Sequence, residues 1–383
     1  MEGIMNNKFL FGLKVVSQDW YWKYNLSYDE AIDKLNSMGV NFIIARNSLI
    51  PSVDTAVKSE IPKELEYKLA EYDDLTFRQK IKNAGIEYFG SVSYGFAEDC
   101  LNKYKNFPID QNGNKEEKID WYIGSCPTCE DYNQERYNLV ENSMKVLNLD
   151  GFFLGFMRYP GFWELWLPET DGEKWREYCF CPRCLEKFQK FSGIKVPDYV
   201  TVPEGQWIRQ NCKDQWIKFK SQIIHDIVQN FRDIIKKYNP HAKVILNTVP
   251  FNQEHYGNYG KSIFGQDPLL LADVVDIFEV MGYHQILNQP FQWIGKAGEY
   301  FKKTSGKTVV CTAQGKALYI DGMHKNSGRM ENLSKEEFKN ALYSIKDSNV
   351  DGAVVFTWSD FLRAEYEENN KELIDIVSVF TKK

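Results

Sequence analysis

Eight cysteines occur in the 383 residues, and five of them fall into two tight groups, Cys126-Pro-Thr-Cys129 and Cys179-Phe-Cys181-Pro-Arg-Cys184. A C-x-x-C turn presents two thiolates to one ion without strain, and zinc takes about four such ligands in a tetrahedron. The grouping therefore predicts a metal site rather than a dispersed disulfide framework. Cys179, Cys181 and Cys184 would supply three sulfurs, leaving Cys126 and Cys129 to compete for the fourth place. No histidine lies near either group. An all-sulfur shell leaves no open position, so the expected ion is a structural zinc that staples loops. Cys100, Cys212 and Cys311 stand alone and read as core or surface residues.

Carboxylates offer a second chemistry. One acid can donate a proton while another carboxylate attacks or activates water, provided both project from strand ends into a shared cleft. The candidates by position are Asp19, Glu98, Asp99, Glu164, Glu254, Glu279 and Asp360. Glu279 lies within Val274-Val-Asp-Ile-Phe-Glu-Val-Met281, an otherwise apolar run where an acid is costly unless paired or used. Arg46 is its anticipated partner. Glu164 follows the aromatic loop Arg158-Tyr-Pro-Gly-Phe-Trp163. Asp360 follows Phe356-Thr-Trp-Ser and is equally placed to cap the last helix. Asp19, in Ser17-Gln-Asp-Trp20, closes the first apolar run and could orient a hydroxyl.

The elements that must position these groups follow one recurring phrase: an amphipathic helix, a Gly or Asn stop, then a short apolar run. Ser27 with Glu30 forms a capping box and Gly39 closes that helix; Thr76 with Gln79 and Gly85 repeat the pattern, as does Ser334 with Glu337. A long helix spans about Lys213 to Tyr238 and ends at Asn239-Pro240. Eight candidate strands begin near Phe9, Asn41, Ile86, Gly151, Lys243, Val274, Thr308 and Gly352. Most are continuously apolar, as parallel strands buried on both faces are. Strand–helix alternation leaves a closed barrel or a doubly wound open sheet. No GxGxxG or GxxxxGK[ST] follows the first strand, which disfavours a nucleotide-binding open sheet and any organic cofactor of that kind. The expectation is an α/β fold, a (β/α)8 TIM barrel spanning residues 1–383 as one domain. The segment from about 160 to 206 is too irregular for a simple crossover. It reads as an insertion after strand four, overhanging the active-site face where barrels place their catalytic loops.

Composition narrows the partners. The net charge is −6 and no basic tract of five residues occurs, which disfavours nucleic acid. No stretch of 18 apolar residues is present, so no membrane span is expected. The N-terminus lacks a charged segment followed by a long apolar one. The chain as it stands is therefore expected to be cytoplasmic, with a removed signal peptide as the alternative. Ten Trp, 22 Tyr and 25 Phe are enough both to fill a core and to line a cleft that stacks on sugar rings.

The cysteine pattern now carries a resemblance. A Cys-Pro pair after strand three, then strand four, then C-x-C-x-x-C and a helix opening Leu185-Glu186-Lys187-Phe188 resembles the β-galactosidases of glycoside hydrolase family forty-two. The phrase Asp150-Gly-Phe-Phe-Leu-Gly-Phe-Met-Arg-Tyr-Pro160 is similar to the strand-four phrase of bacterial family-ten-type glycosyl-hydrolase-like proteins. The resemblance implies a glycoside hydrolase barrel, a carbohydrate substrate, and a structural zinc on Cys126, Cys179, Cys181 and Cys184 with Cys129 as the extra candidate. It covers residues 120 to 190. The chain departs from these patterns at Gly155, where the second phrase carries aspartate. It also lacks an Asn-Glu pair ending strand four, and has Gln314 where strand seven would end on an acid.

On this reading Glu164 is the general acid/base and Glu279 the nucleophile or partner base, with Asp360 in reserve. Arg46, Arg158, Asn247, Tyr283, His284 and Gln314 would hydrogen-bond the sugar alongside Asp19. Trp20, Trp163 and Trp358 would stack on it. The alternative is a catalytically silent barrel that binds carbohydrate, having lost the strand-four and strand-seven acids. A metal-dependent hydrolase is disfavoured, because no H-x-H follows strand one and only five histidines occur.

Overall fold

A computed structural model describes residues 9–51, 61–95, 98–168, 175–198, 202–253 and 256–382. Eight strands, β1 Leu10–Val15, β2 Phe42–Ala45, β3 Glu87–Ser93, β4 Gly151–Gly155, β5 Lys243–Thr248, β6 Ile277–Val280, β7 Thr308–Gln314 and β8 Gly352–Phe356, run parallel and close into a barrel in sequence order. β1 pairs with both β2 and β8, so no edge is left open.

The alternation of side chains explains why the strands are apolar on both faces. Phe42, Ile44, Phe89, Phe153, Ile245, Ile277, Val310 and Val354 point inward and fill the barrel as one cluster. Their neighbours Phe11, Leu13, Ile43, Phe152, Leu154, Val309 and Val355 point outward into the core shared with the helices. Gly12 is what lets the filling close: a Cβ there would stand 2.2 Å from the Phe42 ring.

The principal helices are α1 Tyr28–Ser37, α2 Asp74–Asn83, α3 Glu130–Leu147, α4 Pro182–Ser192, α5 Lys213–Tyr238, α6 Gln292–Ser305, α7 Lys335–Lys346, α8 Trp358–Tyr366 and α9 Glu372–Lys382. The Ser27–Glu30 capping box forms as expected, and Ser334 caps α7 through Glu337 N. The second expected box is displaced. Asp73, not Thr76, caps α2, because its carboxylate reaches both Leu75 N and Thr76 N at 3.1 Å and leaves Thr76 inside the first turn. β6 starts at Ile277 rather than Val274: Asp276 ends the preceding turn by accepting from Val244 N at 2.8 Å and pairing with Arg232 at 3.1 Å. The β5–β6 crossover carries only short turns, Tyr259–Ser262 and Leu270–Asp273, among its described residues.

The insertion after β4 holds a single turn at Trp163–Leu165, α4, and a short helix Glu204–Asn211 before α5 begins. No described helix is long and apolar enough to cross a membrane.

Candidate active site and four-cysteine cluster

The C-terminal ends of the strands open onto a cavity of about 520 Å³. Lys14, Arg46, Ser91, Ser93, Gly155, Asn247 and Phe356 reach it from the strand ends; Arg158, Trp163, Glu164, Trp121, Tyr283 and Tyr319 close over it from the loops. Gly155 contributes no side chain where the related strand phrase has aspartate, so the β4 wall of the cavity carries no acid of its own.

Glu164 is the carboxylate that lines this space, and it is 5% exposed. Burial pushes its carboxyl from 4.5 up to about 7, against the pull of the Arg158 and Arg329 guanidiniums. Its backbone is pinned from another loop. Arg329 donates to the carbonyls of Glu164, Ile286 and Tyr319 and to His324 Nδ1, tying the segment after β7 to the insertion after β4. Tyr122 accepts from Gly161 N at 3.1 Å and stacks on Phe162, holding the same loop from a third side.

Glu279 is fully buried at the floor. It stands in register with Asn247 of β5, whose amide donates to Oε2, and Lys14 Nζ of β1 lies 2.9 Å from Oε1. The ion pair expected with Arg46 is made by Lys14 instead, because Lys14 and Glu279 both have the inward parity of their strands. Lys14 and Asn247 line the cavity, so Glu279 is reached from it only past them. Tyr283 is in the electrostatic field of both carboxylates; burial, then Glu279 and Glu164, drive its phenol well above the ordinary range while Arg158 opposes. Trp163 stacks on Tyr283 with the ring planes 17° apart.

Of the residues singled out in the sequence, Arg46, Arg158, Trp163, Glu164, Asn247 and Tyr283 thus share the cavity. The others lie elsewhere. Asp360 closes a capping box on Thr357 at the start of α8 and pairs with Lys316 at 2.9 Å, so both oxygens are engaged. Trp20 and Trp358 pack together in the core with Phe77, offering no face to a ligand. Asp19 begins a short helix, where burial raises its carboxyl and hydrogen bonds with Ser359 and Ser17 oppose. His284 is fully buried 3.3 Å from Glu337, and burial lowers it to about 4. Gln314 donates to Gln285, which in turn holds the Leu318 and Met330 carbonyls, so it acts on the Tyr319 loop from behind. Glu254 lies outside the described residues, as do the side chains of Glu98, Asp99 and Cys100.

Sequence reasoning missed Lys14, Trp121, Tyr319 and Arg329. Lys14 had a signal, a lone cation in the apolar run Leu10–Val15, of the same kind that drew attention to Glu279. Trp121 donates to the Tyr319 hydroxyl at 3.0 Å across 198 positions of sequence, a contact no local pattern encodes.

The cysteines meet beside the mouth. Cys126, Cys179, Cys181 and Cys184 are buried, with their sulfurs all within 4.8 Å of one another and free of disulfide bonds. Cys126 Sγ is 3.6 Å from Cys181 Sγ and 3.4 Å from Cys184 Sγ. A tetrahedron with metal–sulfur bonds of about 2.3 Å has edges of roughly 3.8 Å, so the quartet fits one ion with a small expansion. Of Cys126 and Cys129, it is Cys126 that the fold brings to the other three sulfurs; Cys129 stands outside the group, at the start of α3. Hydrogen bonds from Cys126, Cys179 and Cys184 hold the Cys181 thiol far below its ordinary range, while burial drives the Cys179 and Cys184 thiols well above it.

No family model matches the chain, and no curated protein matches it by sequence. Solved structures match by fold. A β-galactosidase from Bacillus circulans sp. alkalophilus superposes with a TM-score of 0.59 at 14% identity, over 93% of this chain and 51% of that one. A GH42 β-galactosidase from G. stearothermophilus, solved as a catalytic mutant, gives 0.60 at 13%, over 99% and 56%. Alpha-L-fucosidase isoenzyme 2 from Paenibacillus thiaminolyticus gives 0.56 at 13%, over 98% and 49%. The chain therefore spans about half the length of these proteins. What it has in common with them is the (β/α)8 barrel fold.

Proposed function

We propose that this protein is a glycoside hydrolase that cleaves an oligosaccharide or glycoconjugate in the barrel-mouth cavity. The observation that carries the reading is Glu164, a buried carboxylic acid titrating near neutrality inside that cavity, as a proton donor to a leaving oxygen must. Glu279, with Lys14 as counter-charge and Asn247 fixing its orientation, is the second carboxylate, nucleophile or base. Trp163 supplies a flat face for the sugar ring, while Tyr283, Asn247, Arg46 and Arg158 supply hydrogen bonds. Zinc, held by Cys126, Cys179, Cys181 and Cys184, would act as a staple between the α3 approach and the insertion. No step of the reaction runs through it.

The test is turnover of a panel of aryl glycosides and disaccharides by the wild type and by Glu164→Gln. Loss of a positioned general acid lowers kcat/KM by about 10²–10⁴-fold. Wild-type activity should fall as pH rises through about 7, where Glu164 gives up the proton it must donate. A second reading, a silent carbohydrate-binding barrel, is favoured by the engagement of both Glu279 oxygens beneath the cavity floor. Sugar binding without turnover of any member of the panel would select it.

A further inference from the structure

Arg158 is 3% exposed and lines the cavity, yet none of its three guanidinium nitrogens has a hydrogen-bond partner among the described residues. Its flanks rest on the rings of Phe156 and Phe264, at 4.9 and 5.4 Å, which leaves the donor edge for whatever enters. A guanidinium stays charged in a protein, and a buried charge without a partner is costly. The Trp163 indole N–H is a further buried donor on the same wall without a partner. Arg158 brings an unpaired cation to the lining, whereas Glu164 is the single acid there among the described residues and Lys14 is neutralised by Glu279. The site is built with more donors, and more positive charge, than a neutral sugar would satisfy.

We propose that the substrate is an acidic sugar, carrying a carboxylate or sulfate ester that Arg158 grips through two parallel N–H donors. The inference rests on the carbohydrate reading and names its substrate class. A planar guanidinium matches a carboxylate or an oxyanion edge bidentately, a geometry that a lysine ammonium does not reproduce. A single negative charge suits the cavity better than two, because Glu164 stands beside Arg158 and repels additional charge once ionised.

The experiment measures dissociation constants at pH 6 and fixed ionic strength, by quenching of tryptophan fluorescence. The probes are galacturonate, glucuronate and galactose 6-sulfate, with galactose and glucose as neutral counterparts, on wild type, Arg158→Met and Arg158→Lys. In the wild type the best acidic sugar should bind about 10–100-fold more tightly than its neutral counterpart. Arg158→Met should bring that ratio to about one, acidic sugars losing far more affinity than their neutral counterparts, and Arg158→Lys should restore only part of it. Preference for the uronates assigns the anion as a carboxylate, and preference for the sulfate as a sulfate ester. Arg158→Met should melt no lower than the wild type, since it removes an unpaired buried charge; lower melting, like an acid preference that survives the change, overturns the proposal. Equal binding of acidic and neutral sugars by the wild type overturns it too, while leaving neutral-glycoside hydrolysis intact. Acidic sugars bound but no glycuronide or sulfated glycoside cleaved would sustain Arg158 and remove the hydrolase, whereas no sugar bound at all overturns both.

Discussion

Replacing Glu164 by glutamine should stabilise the protein at neutral and alkaline pH while removing the proton donor of the proposed hydrolysis. A carboxyl moved from 4.5 to about 7 binds its proton more tightly folded than unfolded. The stability this confers is complete below pH 4.5 and is lost as pH rises through about 7. Above that, keeping the ionised group in the fold costs about 3 kcal/mol relative to its protonated form, with the attraction of Arg158 already included. Glutamine mimics the neutral acid and escapes the penalty. The pH-dependent part of the difference between the two proteins should grow from under about 1 kcal/mol at pH 5 to about 3 kcal/mol at pH 8. For a chain of 383 residues the unfolding entropy is on the order of 0.8 kcal/mol/K, so the melting temperatures should separate by about 4 °C. Glu116, which burial raises to about 8, titrates in both proteins and cancels in the difference. Differential scanning fluorimetry from pH 5 to 8, supported by urea midpoints, reads the effect. A gap that is constant with pH, or one that shrinks as pH rises, would refute the placement of an unsolvated carboxyl in the cavity.

Three further perturbations separate structural roles from catalytic ones. Cys126→Ser should abolish stoichiometric zinc in protein purified without chelator, whereas Cys129→Ser should keep about one ion per chain; the opposite pattern by elemental analysis would displace Cys126 from the quartet. Lys14→Met strips Glu279 of its ion-pair partner and should cost about 3–5 kcal/mol in urea unfolding, most of it recovered by adding Glu279→Gln. A double variant no more stable than the single would show that Lys14 matters through packing alone. Asp360→Ala removes the carboxylate that closes the capping box on Thr357 and should cost about 1 kcal/mol while leaving kcat/KM within about twofold. A loss of activity out of proportion to that would bring Asp360 into the reaction.

The barrel was legible because its signals are local. A helix stop followed by a run of β-branched and aromatic residues repeats along the chain, and most of the expected strand starts fall within a residue of those observed. The β6 start was misplaced because Val274 and Val275 look like strand residues, while the deciding interaction, Asp276 with Arg232, lies 44 positions away. The cysteine quartet was legible because C-x-C-x-x-C brings three thiols together by spacing; the placing of Cys126 rather than Cys129 beside them needed the approach of two loops. The site was half legible. Charged residues in apolar strands, Glu279 and Lys14, announce themselves by their cost of burial. Asp360 and Trp358 occupy strand-end positions that look equivalent to Glu164 in sequence, yet they turn away into a helix cap and the core, because β8 passes directly into α8.

Glu164 owes its position to segments far from it in sequence. A turn of three residues at Trp163–Leu165 has too few hydrogen bonds of its own to hold a carboxyl in a cavity against the cost of burial. It is held instead by Arg329, whose guanidinium spans the carbonyls of Glu164, Ile286 and Tyr319, and by the Tyr122 hydroxyl on Gly161. Tyr122 sits four residues before Cys126, and Cys179 lies further along the insertion that carries the turn, so the sulfur quartet ties the segment before β4 to the insertion after it. The cluster and the acid are thus parts of one arrangement. A metal in the quartet would fix the segment carrying Tyr122 relative to the insertion, Tyr122 fixes Gly161, and Glu164 is thereby held in the cavity lining within the field of Arg158.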